Sequence, residues 1–228
     1  MYNTCIFVEI TFWTFLGGIV AMKNRKHILL LTALLIFSGC GGIEDAEEST
    51  VTVNEKGIVT QLLIEDFLSE QYDEEELKTS VQEWVAEYNQ KAGAGAVTLK
   101  NSEVEEGIAK VMLQYQSDED YRGFNQVDFF SGTVEEALEE GYTFAGTFTD
   151  RKGNIVIEGT VPEQCKGKKV IIIREPLQVL VPGKILYVSK NMEAAEADTA
   201  RMLVDSTADY AEMQVTTEAY GYVIYEED

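Results

Sequence analysis

Between Ile108 and Gln116, Ala109, Val111, Leu113 and Tyr115 alternate with Lys110, Met112, Gln114 and Gln116. A period of two puts the first set on one face of a strand and the second on the other. Strands of a parallel sheet are covered on both faces and read as unbroken apolar runs. This half-exposed pattern therefore predicts an antiparallel sheet with one face on a core, and the chain must supply its neighbours.

It does so on both sides. Val51–Val53 and Ile58–Ile64 flank Asn54-Glu-Lys-Gly57, the pattern of a hairpin with a glycine-containing turn. Ala96–Lys100 and Val127–Phe130 read as further strands. Tyr142–Thr149 and Asn154–Val161 flank Asp150–Gly153 as a second hairpin. Val170–Arg174, Leu177–Val181 and Ile185–Ser189 follow, divided by Pro176 and by Pro182-Gly183, with weaker candidates at Arg201–Val204 and Tyr220–Tyr225. Asn191–Thr199 is ambiguous, with helix-forming residues but no apolar stripe.

Two helices are well signalled. Asp73 precedes three glutamates and then Leu77, Val81, Trp84, Val85 and Tyr88 at helical spacing, before the glycines of 91–96 stop the run. Thr133-Val-Glu-Glu136 is a capping box, opening a helix that ends by Gly141. Asp118–Asn125 reads as a short helix or turn. No repeat of solenoid period occurs. The expected fold is an α+β domain, a mainly antiparallel sheet of hairpins and meander with about two helices packed on it.

Upstream of that domain the chain changes character. From Met22, Lys23, Arg25 and Lys26 precede an apolar run, Ile28–Phe37, broken by Thr32. This has the shape of a secretory signal and is too short to span a bilayer. Ser38-Gly39-Cys40 ends it. The segment 22–40 resembles the lipobox signal of bacterial prolipoproteins, in which the cysteine is acylated and becomes the first residue after cleavage. The resemblance implies a lipid on Cys40, export, and attachment to the cell membrane facing outward. Ordinary secretion, with cleavage beside a small residue such as Gly41, is the alternative, and Phe37 suits that kind of site poorly. Residues 1–21 fit neither scheme, since a positive segment normally opens a signal. Gly17-Gly18 admits the codons GGAGG a few codons before Met22. Translation is therefore expected to start at Met22, with 1–21 a mis-assigned start, 22–39 the signal peptide, 40–50 an acidic tether and 51–228 one domain.

Charge and histidine content then narrow the function. The chain holds 18 Lys and Arg against 40 Asp and Glu. Cleavage before Cys40 removes Glu9 and the three leader cations, leaving 39 acids and 15 bases. So negative a chain opposes nucleic acid. The single histidine, His27, lies in the leader, so the mature chain has no Ser-His-Asp or Cys-His mechanism and no imidazole for zinc. Among the three cysteines, Cys5 lies upstream of Met22 and Cys40 would be acylated. Cys165 is then left without an intramolecular partner, a filler more readily than a reactive thiol.

The remaining constellations each have a bland reading that fits better. Asp118-Glu-Asp120 and Asp150–Asn154 offer oxygens, but the first suits a helix start and the second a hairpin turn rather than a calcium loop. Lys166-Gly-Lys-Lys169 could meet anionic lipid or a wall polymer, but suits a polar turn. Ser189 and Lys190 are neighbours on a strand and point apart, which argues against a dyad. Tyr220, Tyr222 and Ile224 would share one strand face and Val223 and Tyr225 the other, for packing or for ligand contact. No catalytic, cofactor or metal residue is assigned; the one site residue is Cys40. The expected activity is that of a non-enzymatic binding or interaction module of the envelope, meeting the membrane through its lipid and an envelope protein or polysaccharide through its surface. The alternatives are a histidine-free glycan hydrolase working with two carboxylates, and a structural or inhibitory partner of another envelope protein.

Overall fold

A computed structural model describes residues 43–67, 73–160, 163–203 and 220–227. Residues 1–42, on which the signal, the start at Met22 and the lipidated Cys40 fall, lie outside the described residues. The expected α+β class holds: among the described residues three helices are combined with thirteen strands in two sheets that are antiparallel almost throughout.

The strands are β1 Thr50–Val53, β2 Val59–Asp66, β3 Val97–Glu105, β4 Ile108–Tyr115, β5 Phe129–Thr133, β6 Ala145–Thr149 and β7 Ile155–Thr160. They continue as β8 Lys169–Ile173, β9 Gln178–Leu180, β10 Gly183–Ser189, β11 Met192–Ala194, β12 Thr199–Met202 and β13 Gly221–Glu227. The first sheet runs β11-β12-β9-β1-β2-β4-β3 and the second β5-β8-β13-β10-β6-β7. One pairing, β1 with β9, is parallel. The ambiguous stretch Asn191–Thr199 contributes β11 and the start of β12. The later strands are dealt alternately to the two sheets, so the chain crosses between them after β8, β9 and β10.

The local rules explain the elements. Asn54 closes the first hairpin, its Oδ1 accepting the Lys56 and Ile58 amides at 2.9 and 3.1 Å, while Gly57 takes φ +76°. Helix α1, Glu74–Ala92, starts at Asp73, whose carboxylate accepts the Glu76 amide at 2.9 Å. Its stripe packs inward as expected: Val81 is buried, and Leu77, Trp84, Val85 and Tyr88 lie half-buried on the core. Helix α2, Asp118–Asn125, starts at Ser117. Helix α3, Val134–Glu139, carries the full reciprocal capping box of Thr133 and Glu136. No helix among the described residues is long and apolar enough to cross a membrane.

The two sheets share one core. Val51, Val59, Leu113 and Tyr115 of the first meet Phe129, Ile171, Ile173, Val223 and Tyr225 of the second. The second sheet is also covered outside, where Phe130, Val134, Phe144, Phe148, Ile172, Tyr222 and Ile224 form a separate cluster. This explains the unbroken run Val170–Ile173, in which all four side chains are fully buried. The tail divides its side chains as the alternation requires, Tyr222 and Ile224 outward and Val223 and Tyr225 inward. Its position differs from a sheet edge: β13 lies between β8 and β10.

The segment read as the end of an acidic tether is folded from Ile43 onward. Ile43–Asp45 forms a 3-10 turn, and Ile43 packs with Leu62 and Met112 on the outer face of the first sheet. Ser49 exchanges hydrogen bonds with Ile64, its amide donating to Ser49 Oγ at 2.8 Å. Ile43, Ala46 and Ser49 thus dock what the charge count presented as free chain.

Gly183 marks the tightest approach in the second sheet. At φ +154° a Cβ there would sit 2.1 Å from the Glu226 carbonyl oxygen, an overlap that backbone alone would have to relieve. Gly183→Ala is therefore expected to destabilise the fold by about 3 kcal/mol, read as a lowered urea midpoint at unchanged slope. An unchanged midpoint would show that the β10–β13 approach is not tight.

Candidate functional site

The sequence singled out several clusters, and the fold uses most of them for structure. In Asp118-Glu-Asp120 the acids open α2, and Asp120 Oδ2 accepts the Ser117 hydroxyl at 3.0 Å. Asp150 folds its own turn, accepting the Lys152 and Asn154 amides at 2.9 Å each; the Asn154 side chain and these backbone bonds hold its carboxyl below the usual range. Among the described residues no group of three or more His, Cys, Asp and Glu side chains is arranged to hold a metal ion. The lysine cluster is spent internally: Lys166 pairs with Glu163, Lys168 with Glu226 and Lys169 with Glu227. Ser189 is buried, donating to Asn191 at 2.6 Å and accepting the Tyr222 amide, while Lys190 faces water. Cys165 is free and buried, and burial pushes its thiol pKa up, away from thiolate reactivity. Tyr222 donates to the Thr143 carbonyl inside the outer cluster. Tyr220 is half-buried beneath the Arg174 guanidinium, 5.3 Å away, and both bond Asp128.

Two features remain, and they adjoin. The first is a surface cleft of about 370 Å³, lined by Glu48, Ser49, Pro176, Leu177, Gln178, Glu193, Arg201, Met202 and Leu203. Strands β9, β11 and β12 and the docked N-terminal segment bring these residues together. Arg201 stands between two carboxylates: Nη2 lies 2.5 Å from Glu193 and Nη1 4.0 Å from Glu48. Gln178 fixes Glu48 from the other side, Nε2 donating at 2.8 Å. Leu203 is 52% exposed, so apolar surface borders the charged groups of the cleft.

The second is a chain of buried polar side chains behind the cleft wall. Asn125 Nδ2 donates to Tyr115 Oη at 3.2 Å, and Tyr115 Oη donates to Gln61 Oε1 at 2.8 Å. Gln61 Nε2 donates to Tyr121 Oη at 3.0 Å, and Tyr121 Oη donates to Glu175 Oε2 at 2.7 Å. Each donor points towards Glu175, so the chain is directed and its members reinforce one another. Tyr115 and Tyr121 are fully buried and Gln61 nearly so. Half-buried as a residue, Glu175 turns its carboxyl inward onto Tyr121. Burial pushes its pKa up to about 7 despite the opposing hydrogen bond. The same burial holds both phenols above their usual range.

Sequence reasoning did not find this chain. One signal was present: Gln61 alternates with Val59 and Leu63, on the apolar face of β2. A polar residue at an inward position must find partners, but the sequence does not name them. Glu175 is one acid among many, distinguished by its place at the crossover from β8 to β9.

Comparison with family models, curated proteins and solved structures returned no match.

Proposed function

We propose that the chain is an exported lipoprotein, held to the outer side of the cell membrane through Cys40, whose domain binds a ligand or envelope partner without turning it over. The leader, its apolar run and Ser38-Gly39-Cys40 support the anchoring, as the prolipoprotein resemblance implies. The cleft carries the binding reading. Its two carboxylates are bridged through one guanidinium instead of facing each other across open space, which is an arrangement for holding charge and not for cleaving a glycosidic bond. The Arg201 pairs are about half-exposed and hence weak and displaceable. A ligand that sets a cation on an apolar body would take the guanidinium's place and lie against Met202 and Leu203. The chain's formal charge of −22 favours the approach of such ligands.

Two measurements test this. In the native host, Cys40→Ala should move the protein from the detergent phase to the aqueous phase; retention in the detergent phase overturns the anchoring. Titration with butylguanidinium should shift the NMR signals of Leu177, Met202 and Leu203, and Glu193→Gln should weaken binding several-fold. Shifts elsewhere, or none, would overturn the cleft as the binding site.

A further inference from the structure

The crossover that carries Glu175 also builds the cleft. Arg174 ends the run of β8 and pairs with Asp128, 2.8 Å away. Glu175 then plunges onto Tyr121, and Pro176, Leu177 and Gln178 line the cleft. The Leu177 amide donates to the Glu175 carbonyl at 2.8 Å, and the Gln178 amide to Ser49 at 2.9 Å. The carboxyl and the cleft wall are thus one short turn, pinned inside by Tyr121 and outside by the N-terminal segment.

We infer that Glu175 is a proton-sensitive latch on this turn, which holds the cleft wall firmly when the carboxyl is neutral and loosens it when the carboxyl is ionised. Among the described residues, the side chain that bonds its carboxyl is Tyr121. From α2 and β4 come the phenols of Tyr121 and Tyr115, which stay neutral because burial holds their pKa values high. From β2 comes the uncharged Gln61. The adjacent Arg174 bonds Asp128, whose carboxyl that bond keeps below its usual range and charged throughout. Burial outweighs the Tyr121 bond, so an ionised Glu175 gains free energy whenever the turn opens and water reaches it. Opening and ionisation are therefore linked, and the link works in both directions. The latch belongs to the fold and stands whatever the cleft binds; its effect on a ligand rests on the binding reading above.

Amide exchange of Leu177 and Gln178, followed by NMR in the full chain and corrected for intrinsic rates, tests the latch directly. With the carboxyl titrating near 7 in the closed turn and at its ordinary value in the open one, the opening constant should rise about thirty-fold between pH 5.5 and 8.5. Glu175→Gln should abolish that rise. Tyr121→Phe, which removes the bond that favours the charged form, should move the titration midpoint of the Glu175 carboxyl carbon upward. Equal pH profiles for Leu177 in the parent and Glu175→Gln proteins, or a Glu175 midpoint below 5, would overturn the inference. Neither result would bear on the lipid anchor or on butylguanidinium binding.

Discussion

A chain ended at Tyr220 will not fold. It should show no cooperative urea transition and no native near-ultraviolet signal, whereas removal of Glu227 and Asp228 alone should leave both intact. The reason is the place of β13. It pairs Gly221–Tyr225 with β8 on one side and Val223–Glu227 with β10 on the other. Tyr222, Val223, Ile224 and Tyr225 are all buried, two on each face. At about 1.5–3 kcal/mol for each buried side chain, their loss removes ~6–12 kcal/mol, as much as the whole stability of a typical domain. It also leaves two strand edges without partners in the middle of a sheet. A truncated protein with native cooperativity would show that β5–β8 and β10–β6–β7 are stable apart.

Glu175→Gln should make the protein more stable above pH 8 and change little below pH 4. The sign follows from the raised pKa. Below about 4.5 the carboxyl is protonated in both folded and unfolded chains and contributes no slope. Between about 4.5 and about 7 the unfolded chain releases the proton while the folded one keeps it, so stability falls as pH rises. Above about 7 both forms are ionised and the penalty is constant. The gap between these two values corresponds to about 3 kcal/mol. The difference in urea-derived stability between the parent and Glu175→Gln proteins, plotted against pH, isolates this group from every other titration. A difference that stays flat from pH 4 to pH 9 would mean that the carboxyl reaches water in the folded state.

What could be read from residues alone was local. The alternation at Ile108–Gln116, the Asn54 turn, the Asp73 cap and the Thr133–Glu136 box each depend on neighbours a few positions apart, and each formed as the pattern requires. The assignment of strands to two sheets was not legible, because it depends on pairings such as Thr50 with Gln178 that no local period encodes. The same limit hid the polar chain. Asn125, Tyr115, Gln61, Tyr121 and Glu175 are separated by up to 60 positions from one bonded partner to the next. Each alone has an ordinary reading as a strand or helix residue. The lysines of 166–169 were visible as a cluster, but the carboxylate partners of Lys168 and Lys169, Glu226 and Glu227, lie almost 60 residues away.

The slot for β13 also carries a consequence in time. A chain emerges amino end first, and the strand that closes the second sheet is the last to appear. The parallel partner of β1 is likewise 128 residues downstream. Contacts of such long range form slowly, and here those of β13 wait for residues 221–227 to be made. The hairpins β1–β2, β3–β4 and β6–β7 join near neighbours and can form early, whereas β8 and β10 keep open edges in the growing chain until residues 221–227 have been made.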